Sequence, residues 1–242
     1  MPKNAHELTR KEMKGPDRFQ VAASDAASWM AKRQKQLLAA VIAVVALAVV
    51  VLGLLSWRES SRAAAGGLLD RAIDAAGGEV SSAALPGLDR PVYKTTEERA
   101  RAVLAAAQLV RSSHGGSRAA TTAALLEGDA QLTLRSWDKA AAAYQAFLDA
   151  APADDAMRFS ALDGLARSQE GKGELDRAAS TYERAAAIPF YRERAELERA
   201  RVLVRAGKAD EARRLVEGVA KGSQDPSLQA EAQERLARLG GK

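Results

Sequence analysis

Nineteen consecutive positions, Leu37 to Leu55 (LLAAVIAVVALAVVVLGLL), carry neither a charge nor a polar side chain. As a helix this run is ~28 Å long, close to the ~30 Å hydrocarbon core of a bilayer. A core helix of a soluble domain keeps a polar stripe, and this run has none. A cleaved signal peptide has a shorter apolar region near the N-terminus, whereas this one starts only after thirty-six residues, and the small triplet Ala63-Ala64-Ala65 lies well past its end. The pattern predicts one uncleaved transmembrane helix. Before it, Phe19, Ala22, Ala26, Trp29, Met30 and Arg33 recur at helical spacing after a Gly15-Pro16 break. Beyond it, helical periodicity runs through Asp70, Arg71 and Ala76 and stops at Gly77-Gly78. The stretch to Tyr93, with Pro86, Gly87 and Pro91, reads as a linker or extended loop. Thr95 and Glu98 form a capping box, and the helix they open shows Val103, Leu104, Ala107 and Val110 on one face before Ser113-His114-Gly115-Gly116 ends it.

From there the pattern repeats. Ala140, Tyr144 and Pro152 have the alanine, aromatic and proline spacing of the tetratricopeptide repeat, with Gly128 and Trp137 at supporting positions. Thirty-eight residues on, Ala178 and Tyr182 repeat the pair, preceded by Leu162, Leu165, Ala166 and Gly173; thirty-four further, Ala212 and Val216 repeat it again, preceded by Ala200 and Gly207. Small residues let two helices approach, and the larger residue a turn later fills the space against the next helix. A single hairpin of this kind cannot bury its apolar face, so hairpins stack. Glu127, Phe147 and Arg199 depart from the repeat pattern, standing where it wants leucine, a small residue and leucine. A last helix from about Pro226 through Leu239 reads as a terminal cap. The expected fold is all-α: one transmembrane helix followed by a tetratricopeptide-repeat solenoid. The expected divisions are a basic cytoplasmic tail (1–35), the transmembrane helix (36–57), a membrane-proximal helix and linker (58–94), and the repeat domain with its cap (95–242).

Charge adds an orientation. The residues before the span carry eight basic side chains (Lys3, Arg10, Lys11, Lys14, Arg18, Lys32, Arg33, Lys35) against Glu7, Glu12, Asp17 and Asp25, a net +4 out of the +5 of the whole chain. The Lys32, Arg33, Lys35 cluster against the membrane marks a cytoplasmic flank, although Arg58 and Arg62 on the far side oppose it. The expected topology is N-terminus inside, repeat domain outside. Trp29, Lys32, Arg33 and Lys35 on one side, and Trp57 and Arg58 on the other, are the expected interface anchors. The folded part is nearly neutral, which removes the footing for nucleic-acid binding.

A charged tail with an aromatic-basic run (Trp29 to Lys35), one span, a Trp57-Arg58 exit and a tetratricopeptide-like domain resembles the single-span ancillary subunits of the bacterial Sec translocon. That family often has an Asn-Gly-Lys run before the span, where this chain has Lys32-Arg33-Gln34-Lys35. The resemblance implies a protein of the inner membrane, beside the translocon, whose repeats face the periplasm and contact translocon subunits, exported proteins or periplasmic chaperones.

Catalytic chemistry is not expected. There is no cysteine, hence no disulfide, thiolate metal site or thiol nucleophile. The two histidines are His6 in the tail and His114 in a Ser-Gly loop, with no triad partner and no zinc spacing. Gly171-x-Gly173 is a repeat turn without a preceding strand, and Asp154-Asp155 reads as helix-start chemistry. No cofactor is expected. What remains is surface. The first helix of each hairpin should line the concave side, with Asp129, Leu132, Asp163, Arg167, Glu170, Arg194, Leu197, Arg201, Val204 and Arg205. Of these, Asp163, Arg167, Arg194, Leu197, Arg201 and Arg205 form the candidate partner groove, basic and apolar, suited to an acidic or amphipathic segment. The expected function is a membrane-anchored protein-interaction scaffold in export or envelope assembly. The alternative is a regulatory anchor whose tail binds a cytoplasmic factor.

Overall fold

The computed structural model describes residues 18–83, 87 and 89–240, with side chains from residue 21 onward. The tail charges before Arg18, His6, the Gly15-Pro16 break, the Arg18 and Phe19 side chains and Pro86 lie outside the described residues. The chain divides between Glu59 and Ser60 into two compact units. Among the described residues there are ten helices and one two-stranded sheet.

In the first unit, α1 (Arg18–Lys32) is separated from α2 (Gln34–Ala76) by a one-residue turn at Arg33. The Arg33 N–H still reaches back to the Trp29 and Met30 carbonyls, each at 3.2 Å. Every residue from 38 through 60 is exposed. α2 is long and apolar enough to cross a membrane, lies near the N-terminus, and buries none of its apolar window within the protein. So large an unbroken apolar surface requires lipid or another apolar cover. Helical structure persists past the apolar run, and α2 ends at Ala76, just before Gly77 and Gly78.

In the second unit, Gly77 and Gly78 end α2. A Cβ on Gly78 would stand 2.5 Å from the Tyr93 ring, so only glycine allows the chain to cross there. β1 (Glu79–Val80) then pairs in parallel with β2 (Val92–Tyr93), Glu79 opposite Val92 and Val80 opposite Tyr93. The linker is thus pinned at both ends by a two-residue sheet that helical periodicity does not foretell.

The remaining helices are α3 (Thr96–Ser113), α4 (Arg118–Thr133), α5 (Trp137–Ala150), α6 (Arg158–Gly171), α7 (Leu175–Ala186), α8 (Arg192–Arg205), α9 (Ala209–Gly222) and α10 (Pro226–Gly240). From α3 on, each packs against its sequence neighbours, and α4 also touches α6 and α8 touches α10. α3 starts on the capping box: the Glu98 N–H donates to Thr95 Oγ1 at 3.1 Å, and the Glu98 carboxylate accepts from the Lys94 N–H at 2.8 Å. Leu68, Leu69 and Ala75 of α2 join the core formed by α3 and α4.

Three of the connections are the same turn. Arg135, Gly173 and Gly207 have φ of 57°, 80° and 78°. In each case the next N–H (Ser136, Glu174, Lys208) bonds at 2.9 Å to the carbonyl five residues back (Gln131, Gln169, Leu203). The left-handed residue's own N–H bonds to the carbonyl three back (Leu132, Glu170, Val204). This paired-bond stop satisfies orphan carbonyls and favours glycine. The three positions are 38 and 34 residues apart, the same steps that separate Ala140, Ala178 and Ala212. Lys172 donates to Asp138 at 2.8 Å and Lys208 to Asp176 at 2.7 Å, tying each turn to the helix start after the previous one.

Ala140, Tyr144, Leu162, Leu165, Ala178, Tyr182, Ala212 and Val216 are all buried. The Tyr144 ring lies against two glycines of different helices. A Cβ on Gly128 would come within 2.7 Å of it and one on Gly164 within 2.2 Å. The Tyr144 hydroxyl donates to Asp129 Oδ1 at 2.6 Å, and that of Tyr182 to Asp163 Oδ1 at 2.9 Å. Burial, together with the neighbouring carboxylate charge, pushes both hydroxyls far above the ordinary tyrosine range. All three departures from the repeat pattern have structural partners: Phe147 is core beside Leu148 and Leu165, and Glu127 pairs with Arg111 of α3. Arg199 pairs with Glu183 at 3.2 Å.

Candidate partner-binding groove

Helices α4, α6 and α8 stop at equivalent turns and together line one open groove of ≈ 760 Å³. Its apolar lining is Leu132 of α4, Trp137 of α5 and Phe159 of α6. Trp137 is held by close approach to Gly171, where a Cβ would lie 2.4 Å from the indole. Phe159 stacks on Tyr191 with centroids 4.1 Å apart and planes 10° from parallel.

The charged lining comes from two helices: Asp163, Arg167 and Glu170 on α6, and Arg194, Glu198, Arg201 and Arg205 on α8. Of the residues expected there, Asp163, Arg167, Arg194, Arg201 and Arg205 line the groove, as do Leu132 and Glu170. Leu197 does not. It is completely buried in the core with Tyr182 and Leu203, and its neighbour Glu198 faces the groove instead. Asp129 is occupied by Tyr144, and Val204 lies over a separate cavity between α8 and α10. Sequence reasoning also missed Trp137 and Phe159 as lining residues.

The expected basic character is corrected more deeply. Four arginines meet three carboxylates in the lining, leaving a net +1. Glu170, 8% exposed, accepts two hydrogen bonds from Arg201, at 2.7 and 2.8 Å, and one from Arg205. Arg201 Nε donates to Glu198 at 2.8 Å. Glu198 also accepts from Arg235 of α10, which bonds Glu231 in turn, and Glu231 accepts from Arg194 at 3.0 Å. Arg205, Glu170, Arg201, Glu198, Arg235, Glu231 and Arg194 thus form one chain of alternating charge across α6, α8 and α10. Hydrogen bonding to Glu170, helped by Glu198, holds Arg201 well above the ordinary arginine range despite its burial. Burial pushes the Glu198 carboxyl up, but Arg201 and Arg235 together outweigh it and hold it below its ordinary value. A carboxylate put in place of Arg201 or Arg205 would therefore face Glu170. Such a change would disturb the fold, so it is no test of the groove alone.

Arg167 stands apart. Its side chain is 59% exposed and its nearest carboxylate oxygen, on Asp163, is 3.7 Å away. The other Asp163 oxygen is already committed to Tyr182. Among the described residues, Arg167 is the one groove arginine with no hydrogen bond.

The expected interface anchors lie in the first unit. Trp29 and Trp57 are 51% and 68% exposed, and the Arg33 guanidinium sits 5.2 Å from the Trp29 ring centroid. Lys32 closes α1, Lys35 is in the first turn of α2, and Arg58 lies on α2 beyond the apolar run. Elsewhere, His114 caps α3 through its backbone, and Asp155 accepts the Met157 N–H ahead of α6 at 2.9 Å. Among the described residues no group of three or more His, Asp or Glu is placed to hold a metal ion.

No protein-family model matches the chain, and a search of curated proteins finds no match to it. The sequence and structure together define an all-α protein with one N-terminal helix long and apolar enough to span a membrane.

Proposed function

We propose that this chain is a single-span membrane protein whose helical domain is a tetratricopeptide-like solenoid that binds other proteins in the groove of α4, α6 and α8. The observation that carries the reading is the set of three identical turns at Arg135, Gly173 and Gly207, in register with the buried Ala140, Ala178 and Ala212. A unit recurring every 34 to 38 residues, with contacts mainly between neighbours, supports a repeat stack, and such stacks are binding surfaces. The positive flank before the span favours a cytoplasmic N-terminus and a repeat domain on the far side of an inner membrane. That placement, with the resemblance to ancillary translocon subunits, favours a role in protein export or envelope assembly, with translocon subunits, exported proteins or periplasmic chaperones as partners.

The test is photocrosslinking in intact membranes from a reactive residue at Leu132 or Arg194, together with a reporter fused after Lys242. Capture of envelope or export proteins, and a reporter active only outside the cytoplasm, support the reading. A cytoplasmic reporter overturns the topology. Crosslinks as frequent from the opposite face of α9 as from the groove overturn the site.

A further inference from the structure

Resting on that reading, we infer that Arg167 is the residue that selects the partner, by binding the side-chain carboxylate of an aspartate or glutamate in a polypeptide segment that carries an aromatic side chain about four residues away. Three observations converge on it. The other groove arginines have their donors engaged within the protein, Arg201 with two glutamates, Arg205 with Glu170 and Arg194 with Glu231. Their charge is spoken for. Arg167 has a planar fork of donors and no hydrogen bond, only a contact at 3.7 Å with the Asp163 oxygen that Tyr182 leaves unused. A guanidinium in this state binds a carboxylate through two parallel charge-assisted bonds. The net +1 of the lining favours one added negative charge and not several.

The second half of the motif comes from the aromatic wall. Phe159 lies on the same helix as Arg167, two turns before it, and its ring is held flat by the stack on Tyr191. Trp137 lines the same groove. Rigid aromatic surface next to a charged fork is the composition of a binding hot spot, because it offers area with little side-chain entropy to lose. Phe159 and Arg167 are eight residues apart, about 12 Å along α6, so an extended segment laid along the helix would meet both with an aromatic and an acidic side chain about four positions apart, which share one face of the segment.

The experiment uses the full chain in nanodiscs and three fluorescent peptides. The first, acetylated and amidated, has a phenylalanine four residues to each side of a central glutamate, with serine and threonine between. The second replaces the glutamate with glutamine. The third is the second with a free C-terminal carboxylate on its last phenylalanine. Fluorescence polarisation is read up to about 1 mM peptide. The first peptide should bind about tenfold tighter than the other two; a gain in the third peptide alone would put the carboxylate at a chain terminus and overturn the inference. Arg167→Gln should erase that difference while leaving the melting temperature unchanged, and Arg167→Lys should restore only part of it. Phe159→Ala should weaken all three peptides alike. Equal affinity for the acid and neutral peptides, no binding at all, or discrimination that survives Arg167→Gln overturns the inference. Groove crosslinks to envelope proteins obtained in the same case would leave the scaffold reading standing, so the two failures are separable.

Discussion

Replacing Glu170 with glutamine should destabilise the helical domain by about 2 kcal/mol. The side chain is 6% exposed, and both its oxygens are used, by Arg201 at 2.7 and 2.8 Å and by Arg205. Glutamine keeps the size and shape but turns an amide NH₂, a donor, toward two guanidinium groups that are also donors. Breaking a buried ion pair from one side costs about 3–5 kcal/mol. The arginine side chains here are 38% and 51% exposed, so water takes up part of the loss. Arg201 also keeps its bond to Glu198. The discounted figure of ~2 kcal/mol corresponds to a fall of about 4–8 °C in melting temperature for a domain of this size. Thermal melting followed by circular dichroism, on the full chain in nanodiscs, measures it. Adding salt should narrow the gap only slightly, because the carboxylate is screened by protein and not by ions. A variant melting within about 1 °C of the parent would refute the claim that Glu170 holds α6 to α8.

Three further outcomes follow from the same geometry. Arg135→Gly should stabilise the domain by up to about 1 kcal/mol, seen as a raised midpoint in urea, because its left-handed backbone is the one glycine prefers. Gly164→Ala should destabilise by about 1–3 kcal/mol in the same titration, since its methyl would lie 2.2 Å from the Tyr144 ring; helix propensity alone would give the opposite sign. The third concerns acid. Glu198 is held below its ordinary value of 4.5, so its stabilising contribution is present above that pH and is lost as pH falls further. The melting-temperature gap between the parent and Glu198→Gln should therefore close below that value. Comparing the two proteins removes the contribution of Asp129, whose carboxyl burial pushes up and which favours the fold more as pH falls.

The sequence was most legible where one residue type dominates. An unbroken apolar run fixes a long helix whatever surrounds it, and Leu37 to Leu55 lies within α2. The turns at Gly173 and Gly207 announce themselves as glycine, whereas Arg135 adopts the same conformation with nothing in its chemistry to show it. In the groove, counting along α8 finds Arg194, Arg201 and Arg205 but stumbles between them. Leu197 and Glu198 are both within one helical turn of Arg194 and Arg201, and only the apolar character of leucine assigns it to the core. The pairing of the arginines was hidden for a different reason. Glu170 lies 31 residues from Arg201, and Arg235 lies 37 from Glu198, so no local pattern joins them. The two-residue sheet at Glu79 and Val92 and the Phe159–Tyr191 stack are long-range pairings of the same kind.

The Tyr144 ring also bears on how the groove meets a partner. Leu132 and Arg167 stand on two different helices, α4 and α6, and the distance between those helices is set by an aromatic plate seated between Gly128 and Gly164. Neither glycine has a side chain that can rotate to widen or narrow the slot, and the hydroxyl of the plate is fastened to Asp129. The spacer is therefore stiff, and the two walls keep their separation whether or not anything lies between them. In the proposed binding, the backbone of the groove is ordered in advance, and the ordering cost falls on the incoming segment and the exposed Arg167 side chain. Selectivity would then follow from fit at a fixed width, with a segment too bulky for it turned away instead of being accommodated.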